Sequence, residues 1–165
     1  MPTLPPFHQH AFYIAYQEGW GLYSEQFGVD AGFYRDPYSL YGHLQDDLLR
    51  AIRLVVDTGF HFKKWSRQQV VDYFHQNSGI DEPTVQSETD RYMAWPAQAL
   101  GYKVGQLALL SLREKARREL GPRFDIRAFH DEVLTAGALP LDVLEKRVDS
   151  WIARTNAASA PGGLK

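Results

Sequence analysis

The sequence contains no cysteine. That excludes disulfides, thiolate nucleophiles and Cys-ligated metal, and it fits a reducing compartment without requiring one. No run of about 18 apolar residues occurs, so no segment is built to span a bilayer as a helix. Lys and Arg form no long basic run. The densest stretch, Arg113 to Arg118, is interrupted or bordered by Glu114 and Glu119 and reads as a solvated helix face with i,i+4 charge pairs. With a formal net charge of −2, no nucleic-acid partner is expected. The opening Met1-Pro2-Thr3-Leu4-Pro5-Pro6 has neither a basic n-region nor an apolar h-region, so it is not a secretory signal, and a cytoplasmic location is the default expectation. Also missing is any H-E-x-x-H, the paired-histidine helix that holds zinc in many hydrolases.

What is present suffices for one domain with a real core: 165 residues, 44% hydrophobic and 23% charged. Nine Phe, nine Tyr and four Trp make the chain rich in aromatic rings. A tyrosine, apolar in body and polar at its tip, suits a cleft wall as well as the edge of a core.

The periodicity predicts an all-α fold of seven helices and no strand. The first is expected over residues 7–27, where Gly19 and Gly21 suggest that another backbone or a ligand comes close. Asp36-Pro37 opens the second, with Leu40, Leu44, Leu48, Ile52 and Val55 as its apolar stripe and Thr58-Gly59 as its end or bend. Ser66 and Gln69 form a capping box for the third, residues 67–77. Asp81 and Pro83 open the fourth, which Pro96 breaks near Trp95. The fifth is expected over 97–120, stopped by Gly121-Pro122, and Asp125 caps a sixth to Thr135. A seventh begins at Pro140 and runs to about Thr155. The organisation is a single helical domain over residues 1–155, with 156–165 as a disordered tail.

Three groups of side chains could carry chemistry. Glu18 lies among Tyr16, Trp20 and Tyr23, and Glu25 is two helical turns on, on the same face. Glu18 could be a metal ligand with Glu25 orienting another ligand, or both could be solvated glutamates on a half-exposed helix. His61 follows a Gly turn and could bind a carboxylate or an oxyanion, or could simply end a helix. His8 and His10, two apart, make a poor metal pair, and His43 with Asp47 reads as structural. In the third group Gln98 and Tyr102 are four apart and expected on one helix face. The Tyr102 hydroxyl could donate to an oxyanion, and Arg91 or Lys103 could hold a substrate carboxylate; the alternative is that Tyr102 packs while the two cations reach water.

Several ordered segments together, Glu18-Gly19-Trp20-Gly21-Leu22-Tyr23-Ser24-Glu25, Arg53-Leu54-Val55-Val56-Asp57-Thr58-Gly59, Trp65-Ser66-Arg67-Gln68-Gln69, Pro96-Ala97-Gln98-Ala99-Leu100-Gly101-Tyr102-Lys103-Val104-Gly105 and Gly137-Ala138-Leu139-Pro140-Leu141, closely resemble the bacterial domain-of-unknown-function family 885. The resemblance runs from about Phe7 to Ile152. It implies a zincin-like helical fold similar to the gluzincin peptidases, including the carboxypeptidase Taq and angiotensin-converting-enzyme groups. Such proteins carry an H-E-A-x-P-G-H segment shortly before the one matching Glu18, and two His with a downstream Glu bind zinc. By the resemblance Glu18 is the third zinc ligand, and Glu25 stays the candidate, from its spacing, for orienting another ligand. Tyr102 and His61 are the catalytic candidates, and Arg91, Gln98 and Lys103 the substrate-binding ones. Zinc then belongs to the full-length parent, and this chain alone is expected to bind none tightly and to lack peptidase activity. The expected role is the C-terminal substrate-cleft part of such a protein, with a peptide as substrate. The rivals are a stand-alone helical binding domain for a peptide or small ligand, and a module completed by a partner chain that bears the histidines.

Overall fold

A computed structural model of the chain describes Pro6 and residues 10–158. Seven α-helices follow in order: α1 Ile14–Asp30, α2 Pro37–His61, α3 Arg67–Asn77, α4 Glu82–Ala94, α5 Leu100–Leu120, α6 Ile126–Leu134 and α7 Leu141–Ala158. The described residues contain no strand. Of the expected disordered tail, residues 156–158 are instead the end of α7, and 159–165 lie outside the described residues.

Four helix starts are set by local chemistry. Asp36 accepts the amide N–H groups of Tyr38 and Ser39 at 3.0 and 2.9 Å, with Pro37 needing no acceptor of its own. Ser66 and Gln69 cap each other reciprocally at α3. Asp81 and Asp125 accept from Thr84 and Arg127 at α4 and α6. Two boundaries differ from the periodicity. The first helix begins at Ile14, not Phe7: His10 to Tyr13 are not helical, and residues 7–9, His8 among them, lie outside the described residues. The second continues through Thr58 and Gly59 to His61. Gly59 is there for space, since a Cβ on it would lie under 3.0 Å from the Trp65 ring.

The helices build two cores, one on α1, α5, α6 and α7 and the other on α2, α3 and α4. Tyr16 and Tyr23 of α1, Leu109 to Leu120 of α5, Phe129 and Val133 of α6, and Leu144, Val148 and Ile152 of α7 form one. Ile52 and Val56 of α2, Val70, Val71 and Phe74 of α3, and Val85 and Tyr92 of α4 form the other, closed by Ala99. The early part of α5 is bound to α1 through backbone. A Cβ on Gly19 would lie under 3.0 Å from the Gly105 backbone, and one on Gly105 would lie that close to the Ala15 carbonyl. A Cβ on Gly101 would strike the Ile14 side chain. Ala15-x-x-x-Gly19 on one helix and Gly101-x-x-x-Gly105 on the other therefore form a small-residue seam running in the same direction along both. The expectation of a close approach at Gly19 holds, and the neighbour is backbone; Gly21 faces open space.

The apolar stripe of α2 is divided. Ile52 is buried and Val55 half-buried, with Val56 beside it fully buried, whereas Leu40, Leu44 and Leu48 of the stripe are exposed, as are Tyr38 and Tyr41. Periodicity identifies an apolar face but not what covers it.

Candidate functional site

The polar face of α2 turns inward. Arg53, Asp57 and His61 are four residues apart and so stack on one side of the helix, toward α4 and the start of α5. Arg53 is 5% exposed, an uncommon place for a guanidinium, and it survives there because its charge is met. Its Nη2 lies 2.8 Å from Glu88 Oε2, and its Nε donates to the same oxygen at 2.9 Å. Nε also approaches the Tyr92 hydroxyl at 3.3 Å. The Tyr92 hydroxyl donates to Glu88 in a short bond. Arg91 brings a second guanidinium to the other Glu88 oxygen, at 3.2 Å. Burial alone would raise the Glu88 carboxyl, but the Tyr92 hydroxyl and the two guanidiniums outweigh it and hold the pKa below its ordinary value. Burial and the neighbouring carboxylate push the Tyr92 phenol far up, so it stays a hydrogen-bond donor at any physiological pH.

The network continues into the turn between α4 and α5. Arg91 Nη2 donates to Gln98 Oε1 at 2.6 Å. Asp57, 2% exposed, accepts the Ala97 amide N–H with both carboxylate oxygens at 3.1 Å. Ala97 has φ +65°, a left-handed conformation that costs a side-chain-bearing residue about 1–2 kcal/mol. The paired bonds from Asp57 hold it there. This corrects the expected start of the fifth helix: with Ala97 left-handed, α5 begins at Leu100. Gln98 then lies in the turn and does not share a helix face with Tyr102. The Asp57 pKa is raised, because burial outweighs the Ala97 amide and the nearby His61.

The other sequence candidates divide. Tyr102 lies beneath Arg53, whose guanidinium carbon is 4.9 Å from the ring centroid, a cation–π contact. His61 is the last residue of α2 rather than a loop residue, and its Nε2 meets the Tyr92 carbonyl at 2.7 Å. His61, Arg91, Gln98 and Tyr102 are thus gathered around one buried Arg53–Glu88–Tyr92 hub. Lys103 stands apart from it. Its ammonium pairs with Asp47 at 2.7 Å, and Gln106 reaches the same carboxylate at 3.4 Å. Arg91 and Lys103 are therefore each neutralised within the chain.

Glu18 and Glu25 lie half-buried on one face of α1, and neither makes a hydrogen bond or ion pair with a described residue. Tyr16, Trp20 and Tyr23 do not surround Glu18 in space. They turn toward α6: the Tyr16 hydroxyl donates to the Val133 carbonyl at 2.7 Å, Tyr23 meets His130 at 3.0 Å, and Trp20 lies edge-on to the His130 ring. Among the described residues no three His, Asp or Glu side chains gather closely enough to hold a metal ion.

Arg53, Asp57, Glu88, Tyr92 and the strained Ala97 are the members of the site that sequence reasoning passed over. Arg53 interrupts an apolar stretch of α2, and Tyr92 sits beside Arg91; those were the available signals. Nothing local ties Arg53 to Glu88, 35 positions away.

The family profile described as "Bacterial protein of unknown function (DUF885)" matches residues 1–148. Among solved structures, a protein from Colwellia psychrerythraea provisionally described as a lipoprotein is 50% identical, with a TM-score of 0.86. The match covers 90% of this chain and 26% of that one, so this chain spans about a quarter of that relative's length. No curated protein matches.

Proposed function

Because the chain belongs to the bacterial DUF885 family, we propose that it forms the peptide-binding, substrate-cleft part of a metallopeptidase-like protein of that family. One observation carries the reading. Residues from α2, α4, the turn and α5 converge on one buried, fully paired hub, and the Tyr102 hydroxyl there donates to no described residue. A buried network of this kind is costly unless it fixes a geometry. In this reading the hub orients Tyr102 and His61, and Gln98 lies at the edge where a peptide backbone would pass.

Zinc does not fit the residues present. Glu18 is one carboxylate without companions, and the sequence offers no H-E-x-x-H. The roles assigned to this chain are binding and orientation alone, with Glu18 as the carboxylate it would contribute to a completed centre. By itself it does not hydrolyse peptides. Titration with zinc should give no one-to-one site tighter than about micromolar. A tight site that disappears in Glu18→Gln would overturn the reading.

The internal pairing of Arg91 with Glu88 and of Lys103 with Asp47 favours a second reading, a stand-alone non-catalytic binding domain. Neither cation is free to grip a substrate carboxylate, which leaves neutral hydrogen bonding and apolar contact. Peptidase activity on adding the remainder of a family member would separate the two, since a stand-alone domain gains none. No helix among the described residues is long and apolar enough to cross a membrane. The description of the Colwellia relative as a lipoprotein counts against the cytoplasmic default for this chain.

A further inference from the structure

A groove of about 480 Å³ lies between the start of α1 and the turn that joins α4 to α5. Its volume falls within the roughly 300–1,000 Å³ of small-ligand pockets. Ile14, Trp95, Pro96, Leu100 and Val104 make its walls apolar, and Gln98 adds a polar group. Trp95 is 57% exposed, a large area for an indole to present to solvent.

Gln98 is 8% exposed, and what its amide leaves open faces the groove it helps to line. Its amide oxygen has a partner, the Arg91 guanidinium at 2.6 Å, and that bond decides the amide's orientation. The NH2 end therefore points away from Arg91, and no described residue accepts from it. Directly before it, Ala97 is held left-handed by Asp57. Strain of that kind, sustained by a buried carboxylate, concentrates where a structure must present a group in a fixed direction. The Arg91 charge is already taken up by Glu88, so the groove does not select an anion. It presents an apolar wall and an amide donor.

We infer that this groove is a subsite for an extended peptide segment, which lays a large apolar side chain against Trp95, Leu100 and Val104 and gives a backbone carbonyl to the Gln98 amide. The inference rests on the peptide-binding reading above and adds a place and a side-chain class to it. Asp57 is a positioning residue in this arrangement: it sets the direction of Gln98 through Ala97.

The test is titration of the full chain with the blocked dipeptide N-acetyl-leucyl-leucinamide, followed by amide and indole NMR signals. The expected result is saturable movement of the Gln98 side-chain NH2 and the Trp95 indole at about millimolar concentration. Gln98→Leu and the surface variant Trp95→Ala each weaken it at least fivefold, whereas n-butylbenzene, which has no carbonyl, is indifferent to Gln98→Leu. Trp95→Ala removes an exposed ring, so that variant stays folded and remains informative. No movement at Gln98 and Trp95 up to about 20 mM, or equal affinity in both variants, overturns the inference. Movement confined to Tyr102 and His61 removes this subsite but keeps the peptide-binding reading; absence of binding anywhere on a folded chain removes both.

Discussion

Ala97 and Asp57 show at the residue scale how a local cost is sustained by a distant group. Asp57→Ala leaves the Ala97 N–H without its acceptor and releases a left-handed residue. The expected loss is about 1–3 kcal/mol of unfolding free energy in urea. Ala97→Gly should be neutral or stabilising by up to about 1 kcal/mol, because glycine takes positive φ without penalty. In the Gly background the Asp57→Ala loss should shrink by about 0.5 kcal/mol or more, a coupling that a double-mutant cycle measures. Additive effects would show that Asp57 does not hold the turn. None of this was legible in the sequence, where Asp57 is an ordinary polar residue near the end of a helix and Ala97 reads as a first helical residue. Arg91 and Gln98 stood out in the sequence as polar groups beside a proline. Their shared bond did not, because it depends on how the turn folds.

Titration at this scale has a definite sign. Burial, then the nearby Arg113 on α5, lowers the His130 pKa, which the adjacent Asp131 only partly offsets; the Tyr23 hydroxyl and the Trp20, Phe27 and Phe129 rings crowd the same imidazole. A histidine whose folded pKa lies below its unfolded value contributes stability that is complete above about pH 6.5 and is lost as the pH falls below that. Glu88, held low, loses its contribution only at more acid pH, while Asp57, held high, works in the opposite direction. The melting temperature should therefore begin to fall below about pH 6.5, and His130→Phe should flatten the curve just below that point. An unchanged profile in that variant would remove His130 as the cause.

At the scale of elements, α1 and α5 are joined by absence of side chains. Gly105→Ala forces a Cβ toward the Ala15 carbonyl, and backbone cannot yield as a flexible side chain can. The helix-propensity gain of about 1 kcal/mol is outweighed, and a net loss of roughly 2 kcal/mol or more is expected. Gly21→Ala, on the open side of α1, should instead stabilise by about 0.5–1 kcal/mol. Thermal melts of the two variants test this, and a stabilised Gly105→Ala would refute the seam. The caps at Asp36, Ser66, Asp81 and Asp125 were legible because each is closed within three residues. The seam was half legible: a glycine in a helix announces a close neighbour but does not name it. The start of α1 was misread: residues 10–13 are not helical, and Phe12 and Tyr13 among them are exposed.

At the scale of the molecule, the helices form two separate cores, and the bare front of α2 is the main departure from the sequence reading. Leu40, Leu44 and Leu48 extend the stripe that Ile52 and Val56 bury, so the pattern is continuous while the covering is not. Leu44→Asp should change stability by less than about 0.5 kcal/mol, against about 3–5 kcal/mol for Phe74→Ala in the second core. Denaturant midpoints decide it: a large loss in Leu44→Asp would show that the stripe is covered in solution. The fold class and helix count could be read from the sequence because periodicity and capping are local. Whether a face is inside or outside depends on everything else present, and this chain spans about a quarter of its solved relative.

Glu18 and Tyr102 each sit one position from a glycine of the α1–α5 seam, Gly19 and Gly101. At Gly19 the two helices touch main chain to main chain through Gly105, and at Gly101 the Ile14 side chain fills the contact. The spacing of the carboxylate-bearing turn and the phenol-bearing turn is consequently set by the polypeptide frame at Gly19 and Gly105 and by one aliphatic side chain at Gly101. A methyl group wedged into residue 105 would be felt at residues 18 and 102 without touching either.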